Sequence, residues 1–116
     1  MGRRRAASDS VPGMSRGHIL VVDDEASILT TLKATLSLEG YSVDVAGGFK
    51  LASDKLAKCN YDLALFDVAL PDGDGVELLE QVRTGGADLP VLMMSGHATV
   101  DAAVRATKLG ATDFLE

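Results

Sequence analysis

Four acidic residues stand at the ends of two apolar runs. Asp23, Asp24 and Glu25 directly follow Ile19 to Val22, and Asp67 closes Leu63 to Phe66. Short, unbroken apolar runs are the mark of strands buried on both faces of a parallel sheet. Two such strands lying side by side would bring their terminal carboxylates to one crevice. Carboxylates at close range repel one another and raise each other's pKa values. A hard divalent cation with oxygen ligands removes that conflict, and Mg²⁺ suits a site that has few carboxylates and keeps several waters. A lone acid at a strand end is ordinarily a solvated loop residue. Four acids on the two sides of one crevice point instead to a metal site. The same residues exclude a dinucleotide or flavin cradle, because the turn after the first strand would need glycines and free backbone N–H groups for phosphate and offers carboxylates.

The crevice exists only if the first and third strands are neighbours. From His18 onward apolar runs alternate with amphipathic stretches in the order β-α-β-α-β-α-β-α-β, which predicts an α/β fold around a parallel sheet. Ile19 to Val22, Leu63 to Phe66 and Val91 to Met94 are continuous apolar runs and are expected at the centre. Tyr41, Val43 and Val45 alternate with Ser42 and Asp44, as at a sheet edge, and Thr112 to Leu115 reads as the opposite edge. The simplest doubly wound order is then 2-1-3-4-5, a flavodoxin-like five-stranded sheet, with its ligand crevice between the carboxyl ends of strands 1 and 3. Helical stripes are expected at Leu29, Leu32 and Leu36, at Leu51, Ala52 and Leu56, at Val76, Leu79 and Val82, and at Val100, Ala103, Val104 and Thr107. Gly40 and Gly110 can take the left-handed conformation that closes a helix, Gly85 and Gly86 break the third helix, and Asp74 and Thr99 are candidate N-caps.

A chain of 116 residues with 47% hydrophobic content is expected to form one small domain, without room for a second catalytic or DNA-binding unit. Cys59 is the only cysteine, so neither an intramolecular disulfide nor a cysteine-based zinc site is expected, and a reducing cytoplasm is the expected setting. No apolar run reaches the roughly 20 residues needed to span a bilayer, and no signal peptide follows the basic N-terminus, so a soluble, unexported protein without membrane contact is expected. Net charge is −6, yet Arg3, Arg4, Arg5 and Arg16 lie in the first 17 residues. The remainder is more acidic still, a surface that repels nucleic acid and attracts cations or basic partners. Residues 1–17 read as a disordered basic tail, and 18–116 as the folded domain.

Four segments in order now carry a resemblance. Ile19-Leu20-Val21-Val22-Asp23-Asp24-Glu25, then Leu65-Phe66-Asp67-Val68-Ala69-Leu70-Pro71-Asp72-Gly73-Asp74-Gly75, then Met93-Met94-Ser95-Gly96-His97-Ala98, then Gly110-Ala111-Thr112-Asp113-Phe114-Leu115-Glu116 are together similar to the receiver domain of two-component response regulators over His18 to Glu116. The stretch from Met94 to Thr99 looks most like receivers of nitrogen-regulatory-class enhancer-binding transcription activators. The resemblance implies a phosphorylation-dependent signalling switch and not a metabolic enzyme. It implies that Asp67 accepts a phosphoryl group from a sensor histidine kinase, that Asp24 binds Mg²⁺ directly and Asp23 chiefly through water, and that Asp67 and the backbone carbonyl of Ala69 complete the set. Ser95 would be the switch hydroxyl and Phe114 the paired switch aromatic, with an output domain, concerned with transcription, as the controlled partner. Pro71 and Gly75 are expected to shape the turn behind the acceptor, and His97 to be a loop residue.

The chain departs from that pattern at its end. The family's essential lysine would fall directly after Glu116, and the fifth helix after that. The expectation is a C-terminally truncated receiver, with weakened phosphate chemistry and an uncovered last strand that invites strand exchange or a homodimer. Two other classes compete. A phosphohydrolase working through an aspartyl phosphate would want a second Asp two residues beyond the nucleophile, where Ala69 stands. A protein-interaction module without phosphorylation would need no acidic site.

Overall fold

The computed structural model describes residues 15–94, Gly110 and the backbone of 113–115. Strand β1 (His18–Val22) is followed by helix α1 (Ala26–Leu38), β2 (Ser42–Ala46), α2 (Phe49–Lys58) and β3 (Leu63–Asp67). A short pair, β4 (Ala69–Leu70) and β5 (Gly73–Asp74), leads into α3 (Gly75–Thr84), then β6 (Val91–Met94) and β7 (Asp113–Leu115). The large sheet is parallel with order β2-β1-β3-β6-β7. That is the expected 2-1-3-4-5 arrangement once the β4-β5 pair is set aside. This two-stranded antiparallel hairpin was not expected, because four residues around a Pro71-Asp72 turn are too few to show an alternating pattern.

Apolar continuity explains the central position of β1 and β3. Leu20, Val21 and Val22 in β1 and Ala64 and Phe66 in β3 have no exposed surface. Successive side chains of a strand point to opposite faces, so each face carries its own core. One contains Leu20, Val22, Phe66 and Met93 under Ala52 of α2 and Val76, Leu79 and Val82 of α3. The other joins Ile19, Val21, Val43 and Leu65 to Leu29, Leu32 and Leu36 of α1. The α1 and α3 stripes are as expected. In α2 the inward residues are Phe49, Ala52 and Leu56, while Leu51 is 49% exposed, because the helix begins at Phe49 and its phase turns Leu51 outward. The fourth stripe and Thr99 lie outside the described residues.

Helix ends follow the backbone's need to satisfy its last carbonyls. At the end of α1, Gly40 sits at φ +97°, its N–H bonds Ser37 O, and Tyr41 N–H reaches back to Leu36 O. Gly110 is likewise at positive φ, +82°. Ser15 to Gly17, placed in the tail by composition, are fastened to the domain. Arg16 N–H bonds Gly40 O at 2.7 Å, its guanidinium lies 5.3 Å from the Tyr41 ring centre, and Ser42 N–H donates to the Ser15 hydroxyl. Residues 1–14 lie outside the described residues. Among the described residues no helix is long and apolar enough to cross a membrane.

Burial sorts two leucines sharply. Leu20→Ala, at a position with no exposed surface, is expected to cost about 2–5 kcal/mol. Leu38→Ala, at one that is 87% exposed, should stay within about 0.5 kcal/mol. Urea midpoints at unchanged slope measure both, and equal shifts would contradict this placement of the core.

Candidate functional site

Strand register decides where the acids meet. Val22 of β1 pairs with Phe66 of β3, so the residues that follow, Asp23 and Asp67, stand at the same level at the carboxyl edge of the sheet. One carboxylate oxygen each from Asp23, Asp24 and Asp67 lies within 4.8 Å of the others. The structure thus brings together three of the four strand-end acids. Glu25 is outside this group, and its N–H donates to Asp23 Oδ1 at 2.9 Å.

The three carboxylates differ in surroundings. Asp23 is 4% exposed and the only charged or polar side chain in the core among the described residues. Its N–H is tied to Ala46 O at 3.1 Å, which binds it to the end of β2 as well. A buried charge is costly unless paired, and one backbone N–H is a small offset. Asp24 is exposed and Asp67 half-buried. The carboxyl of Asp67 is raised above the usual range, first by burial, then by the charge of Asp23 and more weakly by Asp24. The Ala69 N–H works the other way, but at 3.4 Å from Oδ1 it is a long contact.

The donor set fits a hard cation. Octahedral Mg²⁺ with Mg–O distances near 2.1 Å spaces its ligand oxygens roughly 3–4 Å apart, so these oxygens need only a small inward shift. All three donors are carboxylate oxygens, and a divalent ion offsets most of their summed charge.

Behind Asp67 the backbone is crowded. Gly75 N–H bonds Val68 O at 2.7 Å, and a Cβ on Gly75 would overlap the Asp67 carbonyl oxygen. The expected role of Gly75 in shaping the turn therefore has a specific cause: α3 starts against the main chain of Asp67. Asp74 caps that helix, accepting from Val76 N–H at 2.7 Å, as expected. Ala69 opens the hairpin, two residues after Asp67 and paired with Asp74. Ser95 and His97 lie outside the described residues. Phe114 is described only as backbone, in β7 opposite Met93. Asp72 was missed as a functional candidate: its carboxylate bonds the first two N–H groups of α2. Its place in a Pro-Asp-Gly turn is the only signal the sequence carries for this, and that turn chemistry does not name a partner.

The sign of the Asp67 shift yields a test. A carboxyl raised in the folded state disfavours folding once ionised, so its penalty is absent below the unfolded value and grows as pH rises through the folded one. Asp67→Asn is therefore expected to be more stable than the unaltered protein at pH 7 without divalent ions, with the gain vanishing near pH 3. Thermal melts of the pair across that range check this, and a gain independent of pH would contradict it.

The chain as a whole is similar to proteins of known family. The response regulator receiver domain family matches residues 19–116. The transcriptional regulatory protein FixJ of Bradyrhizobium diazoefficiens is 37% identical over 102 residues, which cover 88% of this chain and 50% of FixJ. The chain thus spans half the length of that relative. The beryllofluoride-activated receiver domain dimer of NtrC4 superposes with a TM-score of 0.79 at 41% identity, covering 85% of this chain and 82% of that one. The response regulator TrrA of Thermotoga maritima, solved with Mg²⁺ and beryllofluoride, gives 0.76 at 30% identity, with 84% of each chain covered. The likeness to nitrogen-regulatory-class receivers read from Met94 to Thr99 agrees with the NtrC4 match. With the doubly wound sheet, the acidic crevice and a family match over nearly its whole length, this chain belongs to the response regulator receiver domains.

Proposed function

We propose that Asp67 is the phosphoacceptor of this receiver and that Mg²⁺, held by Asp23, Asp24, Asp67 and the backbone carbonyl of Ala69, is its cofactor. The observation that carries the reading is the grouping of three carboxylates within 4.8 Å, with Asp67 raised first by burial and then by the charges of Asp23 and Asp24. An unrelieved cluster of that kind is costly for structure alone. The solved complex of TrrA with Mg²⁺ and beryllofluoride supports the choice of ion.

In the reaction a carboxylate oxygen of Asp67 attacks the phosphorus of a phosphohistidine on a sensor histidine kinase. The phosphorus–nitrogen bond breaks, its electron pair stays on the imidazole, and an acyl phosphate forms on Asp67. Bound at the site, Mg²⁺ supplies positive charge against the phosphoryl oxygens in a loose transition state. Asp23, buried and fixed to the end of β2, acts as a rigid anchor, while exposed Asp24 remains free to meet the ion. Ala69 offers a methyl group where a phosphohydrolase would carry its general acid, in keeping with a switch and not a turnover enzyme.

Ser95 acts as the switch hydroxyl and Phe114 as the paired aromatic, and the altered face is read by an output domain concerned with transcription, as the name of FixJ suggests. The domain works in the cytoplasm as a partner of the kinase, with a homodimer as the expected assembly by analogy with NtrC4.

Amide NMR with Mg²⁺ and beryllofluoride tests the reading, on this chain and on one extended through the lysine and fifth helix. Resonances near Asp67, Ser95 and Phe114 are expected to move together in the extended protein, weakly in the short chain, and not at all in Asp67→Asn. An extended protein that binds neither ion nor mimic would replace this reading with that of an interaction module.

A further inference from the structure

Asp72 lies outside the carboxylate group, and both of its oxygens are engaged elsewhere. Oδ1 accepts from Phe49 N–H at 2.6 Å and Oδ2 from Lys50 N–H at 3.1 Å. These are the first N–H groups of α2, whose own N-cap, Gly48, makes no side-chain cap. Helix α2 is therefore capped by a carboxylate 23 residues away, on the tip of the hairpin that follows Asp67. The bonds hold the Asp72 carboxyl below its usual range.

Two glycines make room for this contact. A Cβ on Gly48 would come 2.8 Å from Asp72 Oδ1, and one on Gly73 would come 2.7 Å from the Phe49 ring. At its base the same hairpin is held by Asp74 on α3 and by Gly75 N–H on Val68 O. Ala69, whose backbone faces the acceptor, is paired to Asp74 inside it. The segment from Asp67 to Gly75 is thus pinned at both ends: its base to β3 and α3, its tip to α2.

We propose that Asp72 is a positioning residue for the metal site: by clamping the hairpin tip to the start of α2, it fixes the main chain at Val68 and Ala69 relative to Asp23 and Asp24. Asp72 does not touch the ion. Its effect runs through the hairpin to the Asp67 carboxyl and the Ala69 carbonyl. The inference rests on the reading of the crevice as a Mg²⁺ site. A local Ser or Asp at position 48 would cap α2 as well. Instead the cap comes from the acceptor loop, and both glycines at the contact are sterically required for it.

Mg²⁺ titration of the chain, followed by amide NMR shifts, separates positioning from simple capping. Asp72→Ala is expected to weaken Mg²⁺ binding about 10-fold, the low end for loss of a group that orients metal ligands. Asp72→Asn keeps one acceptor oxygen and should recover most of the affinity. Gly73→Ala keeps the carboxylate but pushes the hairpin off the Phe49 ring, so it should weaken binding as Asp72→Ala does, and it carries the test if Asp72→Ala does not fold. Asp54→Ala, which removes only a 4.0 Å surface pair with Lys50, should leave affinity unchanged. Lower melting temperatures with unaltered Mg²⁺ affinity in both Asp72→Ala and Gly73→Ala would reduce Asp72 to a helix cap and overturn the proposal. An unaltered chain that binds no Mg²⁺ would overturn the metal-site reading itself, a different outcome.

Discussion

Repulsion among Asp23, Asp24 and Asp67 is the constraint around which the molecule is arranged. Carboxylates in water separate freely, so keeping three of them within 4.8 Å requires a support that cannot relax. The support is the pair of central strands. Leu20, Val21, Val22, Ala64 and Phe66 are fully buried, and close packing on both faces leaves the strand ends no room to drift. The Val22–Phe66 register then sets Asp23 and Asp67 at one level. A slip of one residue would exchange the two cores of the sheet as well as misalign the acids. Stability and site geometry are thereby specified by the same packing.

The main chain behind Asp67 extends that rigidity to the far side of the crevice. Gly75 leaves no space between α3 and the Asp67 carbonyl, and Asp74 caps the first turn of α3. The hairpin between them projects to α2, where Asp72 closes the contact. Helices α2 and α3 are also bridged directly, by Gln81 to Ser53 at 2.6 Å. One face of the sheet therefore carries two helices joined to each other and to the hairpin after Asp67. This architecture suits a phosphoacceptor, since a phosphoryl group added at Asp67 would meet a backbone that is already ordered.

Much of this could be read in the residues. Continuous apolar runs identified β1, β3 and β6, alternation at Tyr41, Val43 and Val45 marked the edge, and glycine chemistry marked the end of α1 at Gly40. Those signals are local, or follow directly from burial. What escaped depends on contacts between distant segments. The phase of α2, which turns Leu51 out and Phe49 in, goes with a helix start at Phe49, where the N–H groups meet Asp72 from a distant turn. The attachment of Ser15 to Gly17 depends on carbonyls and a ring at the far end of α1. The carboxylate group was legible because its members sit at strand ends whose order the hydrophobic pattern implies. The Asp72 cap was not, because a Pro-Asp-Gly turn looks the same whether or not a helix end lies above it.

A second acidic residue shows why the crevice reads as a functional site and not as ordinary structure. Asp44 on β2 is also partly buried, and burial alone would raise its carboxyl. It is nevertheless lowered, because Tyr61 donates to Oδ2 at 2.7 Å, His18 Nε2 lies 3.1 Å from the same oxygen, and Lys55 adds attraction. Tyr61 is raised in turn, by burial and by Asp44, so its hydroxyl stays a donor. That set is complete within the protein: each polar group meets a partner of opposite character. At Asp67 the sign is reversed: burial raises it, the charges of Asp23 and Asp24 add to that, and the backbone bonds from Ala69, a long contact, and Val68 offset only part. Both carboxylates belong to the same sheet and are half-buried, so position alone does not separate them. The difference is whether the fold supplies the compensating charge, and at Asp67 the fold leaves that to what binds.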